Sequence, residues 1–227
     1  MSVLIKNGTI VTAECEQHAD LYIEGESIKA IGENLAVDAD EIIDAKGKYI
    51  LPGGVDQPVH FSFTYKGVTT RGFETSNAAA LGGTTTVIEF INQERGKGLV
   101  ETIDNYRKEK VDGIAMVDHC FHSVMTDPRD EVIDEIPRLA DAGYPVMKLF
   151  MAYYGQFFHA DDMAIFRALQ KAKDAGVTVM VHAENADMIE TLIRQLLAEG
   201  KVAPYYHAVS RPVLVEAEAT RRAIYLA

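Results

Sequence analysis

The chain has 227 residues, of which 48% are apolar and 25% are charged. These proportions are ordinary for a folded globular protein and exclude the weakly hydrophobic, highly charged composition of disordered chains. The net charge of -12, without a cluster of lysines and arginines, argues against a nucleic-acid partner, and no apolar run approaches the roughly 18 residues of a membrane-spanning helix.

Residues 1–51 alternate apolar and polar residues with a period of two, most clearly over 3–11 and 19–28. This pattern predicts short antiparallel strands joined by tight turns. From Pro52 onward, short apolar runs alternate with longer amphipathic stretches, which is typical of repeated βα units around a parallel sheet. The change predicts one domain over residues 1–51 and a second over residues 52–227.

Five apolar runs in the second part are the expected parallel strands. They span residues 54–61, 84–90, 115–124, 145–152 and 177–182. A helix is predicted over residues 161–175, with capping carboxylates at its start and a stop at Gly176. Its apolar residues recur at a spacing of three and are Met163, Phe166, Leu169 and Ala172. A further helix is predicted over residues 187–199.

A parallel sheet with helices outside is either doubly wound or closed into a barrel. No G-x-G-x-x-G turn follows the first run, and polar residues stand at the ends of successive runs, so a barrel is favoured. A barrel of this type needs eight strands, and about five of eight are present. The sequence therefore predicts an incomplete (β/α)8 barrel of the TIM type, with two unpaired strand edges, in a chain that looks truncated.

Lys148 lies inside an almost wholly apolar run, where a charged ammonium is costly to bury. One interpretation is that its stem packs while its amine reaches water at the strand end. The other is a lysine with a lowered pKa, whose neutral amine reacts with carbon dioxide to give a carbamate that bridges two metal ions. The residue alone leaves both interpretations open.

Two histidines end predicted strands, His60 in the first run and His182 in the fifth. The site face of a barrel lies at these strand ends, and imidazole is a common zinc ligand. A single histidine is more often structural than ligating. Two histidines and Lys148, each at or near the end of a different strand, together predict one metal site.

The chain resembles the dihydropyrimidinase and hydantoinase family of the amidohydrolase superfamily over essentially its whole length. The segments that carry the resemblance are LPGGVD at 51–56, GGTTT at 82–86, MKLFMAY at 147–153, VHAEN at 181–185 and YHAVSRP at 206–212. The resemblance implies a metal-bearing barrel and a small β-sandwich domain, of which residues 1–51 would be the N-terminal part.

The resemblance also implies an enzyme that opens cyclic amides, dihydropyrimidines or 5-substituted hydantoins, to N-carbamoyl amino acids. Two zinc ions would be held by four histidines, a carbamylated lysine and an aspartate. Lys148 matches the lysine, and His60 and His182 match two of the histidines. Tyr153 matches a tyrosine that hydrogen-bonds the substrate and its oxyanion.

Two departures from the family pattern put activity in doubt. The family's first strand ends in His-x-His, whereas here Pro58 stands at the first position and has no atom that binds zinc. The chain ends at Ala227, before a further histidine ligand and the metal-binding aspartate that the family places later. We therefore expect the chain alone to be inactive.

Two alternatives remain. One is a non-catalytic relative that keeps the fold as a scaffold, although the retention of Lys148, His182 and Tyr153 argues against it. The other is a defective, truncated product with exposed strand edges. The expected partner is a small cyclic amide, without nucleic acid or membrane, and a homo-oligomer if the chain were complete. Two widely separated cysteines and the lack of a signal segment favour the cytoplasm.

Overall fold

A computed structural model describes residues 1–65 and 67–227. The described chain divides into two compact units, residues 1–54 and residues 55–227. The division lies close to the change of sequence pattern after residue 51. That the first unit is part of a β-sandwich domain and the second is the first part of a hydrolase barrel remain predictions.

The first unit is a five-stranded sheet. Its strands are β1 (Ser2–Val11), β2 (Glu16–Glu24), β3 (Ser27–Gly32), β4 (Glu41–Asp44) and β5 (Tyr49–Ile50). Strands β1, β2 and β3 pair antiparallel, as the alternation predicts. The antiparallel prediction is wrong for β4 and β5, which both pair with β1 in parallel. A period of two shows which residues share a face and does not encode strand direction.

The second unit contains a five-stranded half-barrel and a separate two-stranded hairpin. The strands are β6 (Gly54–Val59), β7 (Thr64–Tyr65), β8 (Val68–Thr69), β9 (Thr84–Asn92), β10 (Asp118–Val124), β11 (Val146–Phe150) and β12 (Thr178–His182). The large sheet has the order β12-β11-β10-β9-β6, and its five strands are the five predicted runs. The predicted α/β fold, an incomplete barrel of five parallel strands, is confirmed.

Helices follow the strands of the half-barrel. They are α1 (Ser76–Leu81), α2 (Leu99–Lys110), α3 (Asp130–Asp141), α4 (Asp162–Ala175), α5 (Ala186–Ala198), α6 (Tyr205–Val209) and α7 (Val213–Leu226), with a short 3-10 turn at Phe73–Thr75. None of the helices that the structure describes is long and apolar enough to cross a membrane.

Helix α4 shows which part of a sequence pattern is reliable. The Asp161 side chain accepts a hydrogen bond from the Ala164 amide at 2.8 Å, and Gly176 ends the helix with a φ of 68°. Both predicted helix signals are therefore confirmed. Of the four apolar residues spaced by three, Ala172 is buried and Leu169 packs against the core, whereas Met163 is 66% exposed and Phe166 is 44% exposed. The buried residues follow the helical repeat of 3.6 more closely and are Ala164, Ile165, Ala168 and Ala172.

The half-barrel has two different faces. One face packs against the helices and contributes to the main core cluster, as Val87 of β9, Phe121 of β10 and Leu149 of β11 do. Because successive side chains of a strand point to opposite faces, Phe90, His122 and Lys148 share the other face. That second face, the site face of the sheet, points away from the helices and carries the predicted site residue Lys148.

Candidate active site

Strand register brings the candidate residues of the site face into neighbouring positions. Phe90 of β9 pairs with His122 of β10, and Phe150 of β11 pairs with His182 of β12. Lys148 stands two residues before Phe150, so its side chain lies on the same face. Val124, two residues after His122, pairs with Lys148, so the register places Lys148 and His182 on the same face as a third residue, His122.

Lys148 is surrounded by aromatic rings. Its Nζ lies 4.3 Å from the centroid of the Phe90 ring and 4.8 Å from the centroid of the Phe150 ring. Ring faces favour the charged ammonium, by about 0.5–2 kcal/mol per contact, whereas loss of water favours the neutral amine. Burial dominates and lowers the pKa of Lys148. The amine is therefore closer to neutrality than the amine of a surface lysine.

His60 and His122 lie on either side of the same phenylalanine. The ring centroid of Phe90 is 5.7 Å from that of His60 and 5.2 Å from that of His122. Burial, and then the positive charge of Lys148, lowers the pKa of both histidines. Phe90 thus has His60, His122 and Lys148 as common neighbours. Sequence reasoning missed His122, because only the pairing of β10 with β9 shows that this histidine belongs to the site face.

A buried carboxylate holds the chain segment that follows His60. Oε1 of Glu89 accepts hydrogen bonds from the Phe61 amide at 3.0 Å, the Ser62 amide at 3.2 Å and the Tyr106 hydroxyl at 3.0 Å. The Glu89 residue is 2% exposed, and burial raises the pKa of its carboxyl despite these three donors. Sequence reasoning also missed Glu89. The alternation of side chains along β9 places it on the same side as Val87, toward the helices.

His182 is held by a chain of polar contacts. Its Nε2 lies 2.9 Å from Oε2 of Glu184, and Oε1 of Glu184 lies 3.6 Å from Nε of Arg211. Arg211 in turn donates to Oγ of Ser210 at 3.0 Å and contacts Nδ1 of His207 at 3.2 Å. When Nε2–H donates to the carboxylate, Nδ1 of His182 keeps the free lone pair that a metal ion requires. The 206–212 segment thereby acquires a role in the site.

Tyr153 lies beside His182 in a strained turn. The two ring centroids are 5.6 Å apart, and the Phe150 ring is 5.7 Å from the Tyr153 ring. The φ of Tyr153 is 65°, in the left-handed region that non-glycine residues seldom adopt. Such strain costs about 1–3 kcal/mol and tends to be found at functional sites. The structure therefore brings Tyr153, His182 and, through Phe150, Lys148 into one neighbourhood.

A cavity of about 400 Å³ opens beside His60. Phe90, Glu89 and Tyr106 contribute to its wall on one side, and Phe158 contributes from the loop after β11. Small-molecule sites are concave and mostly apolar, with a few polar groups that fix orientation, and their volumes begin at about 300 Å³. Its described lining includes His60 but not Lys148, His182 or Tyr153.

Comparison with known proteins identifies the family. No family model matches the chain. Over its whole length it is 43% identical to the D-hydantoinase of Geobacillus stearothermophilus and 45% identical to that of Ralstonia pickettii, and it spans 48% and 50% of those proteins. By sequence and fold, the chain matches about half the length of enzymes named D-hydantoinase and dihydropyrimidinase. The crystal structure of dihydropyrimidinase from Brevibacillus agri NCHU1002 matches with a TM-score of 0.93 and 40% identity, covering 100% of this chain and 49% of that one.

The family predicted from the sequence motifs is thus confirmed, and the chain spans about half the length of the curated relatives it matches. The comparisons do not assign the site residues. His60, Lys148, His182 and Tyr153 keep the roles that the resemblance implies as predictions.

The residues present fit part of the two-zinc group that the resemblance implies. The Nε2 of His182 is engaged by Glu184, no hydrogen bond of its Nδ1 is seen among the described residues, and burial lowers the pKa of the Lys148 amine, so each has the chemistry expected of its role. The complete set is not met, since Pro58 offers no ligand atom. Within residues 1–65 and 67–227, no three His, Cys, Asp or Glu side chains form a group that could hold a metal ion.

Proposed function

We propose that the protein to which this chain contributes hydrolyses a C–N bond of a cyclic amide, either a dihydropyrimidine or a 5-substituted hydantoin, to an N-carbamoyl amino acid. The observation that carries this proposal is the grouping of Lys148, His182 and Tyr153 around Phe150, in a chain that is more than 40% identical to enzymes named D-hydantoinase. Lys148 and His182 have the two environments that this chemistry needs, a desolvated amine and an oriented imidazole.

In this proposal, Lys148, as its carbamate, would hold zinc together with His60 and His182. Zinc held there would lower the pKa of a water molecule toward neutrality and polarise the amide carbonyl. Glu184 holds the His182 ring in one tautomer, so no reorientation is needed on binding. The Tyr153 hydroxyl donates a hydrogen bond to the carbonyl oxygen as negative charge develops there.

We further propose that the chain as given does not turn over a cyclic amide by itself, because Pro58 leaves its ligand set incomplete. The test is ring opening of dihydrouracil and hydantoin by the purified chain with added zinc. We expect no turnover above that of a Lys148→Ala variant. Turnover that is lost with a chelator would overturn this part of the proposal.

The Pro58 position allows a direct test of the metal role of this strand. Pro58→His adds an imidazole two residues before His60, whereas Pro58→Ala removes the proline without adding a ligand. We expect the zinc affinity of the histidine variant to exceed that of the alanine variant by at least about 10–100-fold, which is the loss of metal affinity that mutation of an outer-shell residue typically causes. Titration with zinc and a competing chelator measures it. Equal affinities of the two variants would contradict a metal site at the end of β6.

A second candidate function is a non-catalytic scaffold that keeps the fold for assembly. Pro58 is the observation that favours it, because it removes a ligand and fixes the local backbone. Metal analysis of the purified chain separates the candidates. Near-stoichiometric zinc that requires Lys148 supports the hydrolase, whereas a stable homo-oligomer without zinc supports the scaffold.

We also propose a cytoplasmic location. The two cysteines are free thiols, with Cys15 exposed and Cys120 half-buried. Exposed free thiols persist in reducing compartments and are oxidised elsewhere. Fractionation of the native source, followed by detection of the protein with an antibody, tests this assignment, and recovery from a secreted or periplasmic fraction would contradict it.

A further inference from the structure

His122 is a buried polar side chain without an evident use. It is 5% exposed, and within the part of the chain that the structure describes, neither its Nδ1 nor its Nε2 has a hydrogen-bond partner. A buried polar group left unpaired costs about 1–3 kcal/mol, and proteins keep few of them. A phenylalanine would fill similar space without that cost. The retained imidazole therefore points to a partner that forms only in the working protein.

The surroundings of His122 indicate that partner. On the site face, its ring lies 5.2 Å from the Phe90 ring, and Nζ of Lys148 lies 4.3 Å from the same ring. Val124, two residues after His122 and on the same face of β10, pairs with Lys148 of β11, so the two side chains are neighbours on this face. Among the described residues, no carboxylate forms an ion pair with the Lys148 amine. Within the described ranges, His122 thus has no hydrogen-bond partner and Lys148 has no ion-pair partner, and both side chains lie beside the Phe90 ring.

We propose that His122 is a positioning residue for the carbamate of Lys148, whose oxygen accepts a hydrogen bond from a ring N–H of His122. This inference rests on the proposed function, which makes Lys148 the carbamylated residue. The lone pair of the neutral amine forms an N–C bond to carbon dioxide, and one C=O electron pair moves onto oxygen. The amine proton passes to water, and the resulting anion carries the acceptor that His122 lacks.

The hydrogen bond fixes the torsion of the carbamate. A lysine side chain has four rotatable bonds, so a free carbamate would sample many orientations before binding metal. One hydrogen bond to a charged group removes part of that freedom and stabilises the adduct against loss of carbon dioxide. His122 thus acts on Lys148 without itself reaching substrate.

The test follows the carbamate itself. The chain is labelled with 13C-bicarbonate in the presence of zinc, and the carbamate carbon is observed by NMR, with Lys148→Ala identifying the signal. His122→Phe is expected to reduce the signal about tenfold or more, because loss of a hydrogen bond to a charged group lowers the equilibrium constant for carbamate formation by about that factor. His122→Asn, which keeps an N–H donor, is expected to retain part of it. His119→Phe is the matched control, because His119 is an exposed histidine of the same strand.

Stability separates a positioning role from a structural one. Replacing an unpaired buried imidazole with phenylalanine leaves the melting temperature unchanged or raises it, so loss of the carbamate signal cannot result from unfolding. A full carbamate signal in folded His122→Phe overturns this inference and leaves the proposed function intact. Absence of any Lys148-dependent signal in the parent chain overturns both the inference and the carbamate in the proposed function.

Discussion

The two edge strands of the half-barrel end in histidines that are supported in different ways. At the end of β12, the His182 ring itself bonds to Glu184, which pairs with Arg211. After β6, the described ring contacts of His60 are aromatic, and the polar support from Glu89 reaches only the backbone that follows it. The β12 side is thus supported through the histidine side chain. The β6 side is supported through the backbone, and Pro58 stands where the family resemblance predicts a histidine ligand.

The largest effect is expected from Glu89→Ala at the β6 side. The change leaves the Phe61 and Ser62 amides and the Tyr106 hydroxyl without their buried acceptor, so we expect the free energy of unfolding to fall by about 2–3 kcal/mol. Urea denaturation measures the loss. Glu89→Gln keeps an acceptor oxygen and is expected to lose less than half as much. Equal stability of Glu89→Ala and the parent would show that Glu89 does not hold this segment.

Glu184→Ala tests the β12 side and is expected to cost about 1–2 kcal/mol of stability, since it removes a carboxylate that accepts from His182 and pairs with Arg211. Its sharper readout is the tautomer of His182, which 15N NMR of the imidazole reports. We expect the Nε2–H form to dominate in the parent and a mixture in the variant. Glu190→Ala, which removes the exposed pair with Arg194, is the matched control. An unchanged tautomer would contradict the orienting role of Glu184.

Tyr106→Phe sharpens the comparison within the β6 side, because it removes one donor to Glu89 and leaves the two backbone donors in place. The expected loss of stability is about 1 kcal/mol. Tyr225→Phe is the control, since Tyr225 is 75% exposed and its hydroxyl accepts from Arg221 on the surface. Thermal unfolding of both variants checks the prediction. Comparable losses in the two would mean that the bond to Glu89 contributes little.

The smallest effect concerns pH. Burial raises the pKa of Glu89 above its ordinary value of 4.5, so the folded state binds this proton more tightly than the unfolded state. The resulting stabilisation is fully present below 4.5 and is lost as the pH rises through the raised pKa of the folded state. We expect the stability of the parent relative to Glu89→Gln to fall over that range. Parallel pH profiles of the two proteins would contradict a raised pKa.

Local patterns predicted much of the fold. The five strands of the half-barrel follow from runs of apolar residues, and the ends of α4 follow from Asp161 and Gly176, because burial and capping act over a few residues. Sequence patterns were less informative about features that depend on a neighbouring strand or helix. The direction of β4 and β5 depends on the strand with which they pair, and the antiparallel prediction was wrong there. The buried face of α4 likewise depends on what the helix packs against.

The candidate site divides in the same way. The sequence by itself determined the family, the incomplete barrel and the candidates Lys148 and His182, since these stand within recognisable motifs at strand ends. Only the tertiary structure decided that His122 shares a face with Lys148 and that Glu89 holds the segment after His60, because contacts between residues about 30 positions apart leave no local signal. The tertiary structure also decided how His182 is held. Glu184, which bonds to His182, pairs with Arg211 only when the 206–212 segment folds back onto the strand end.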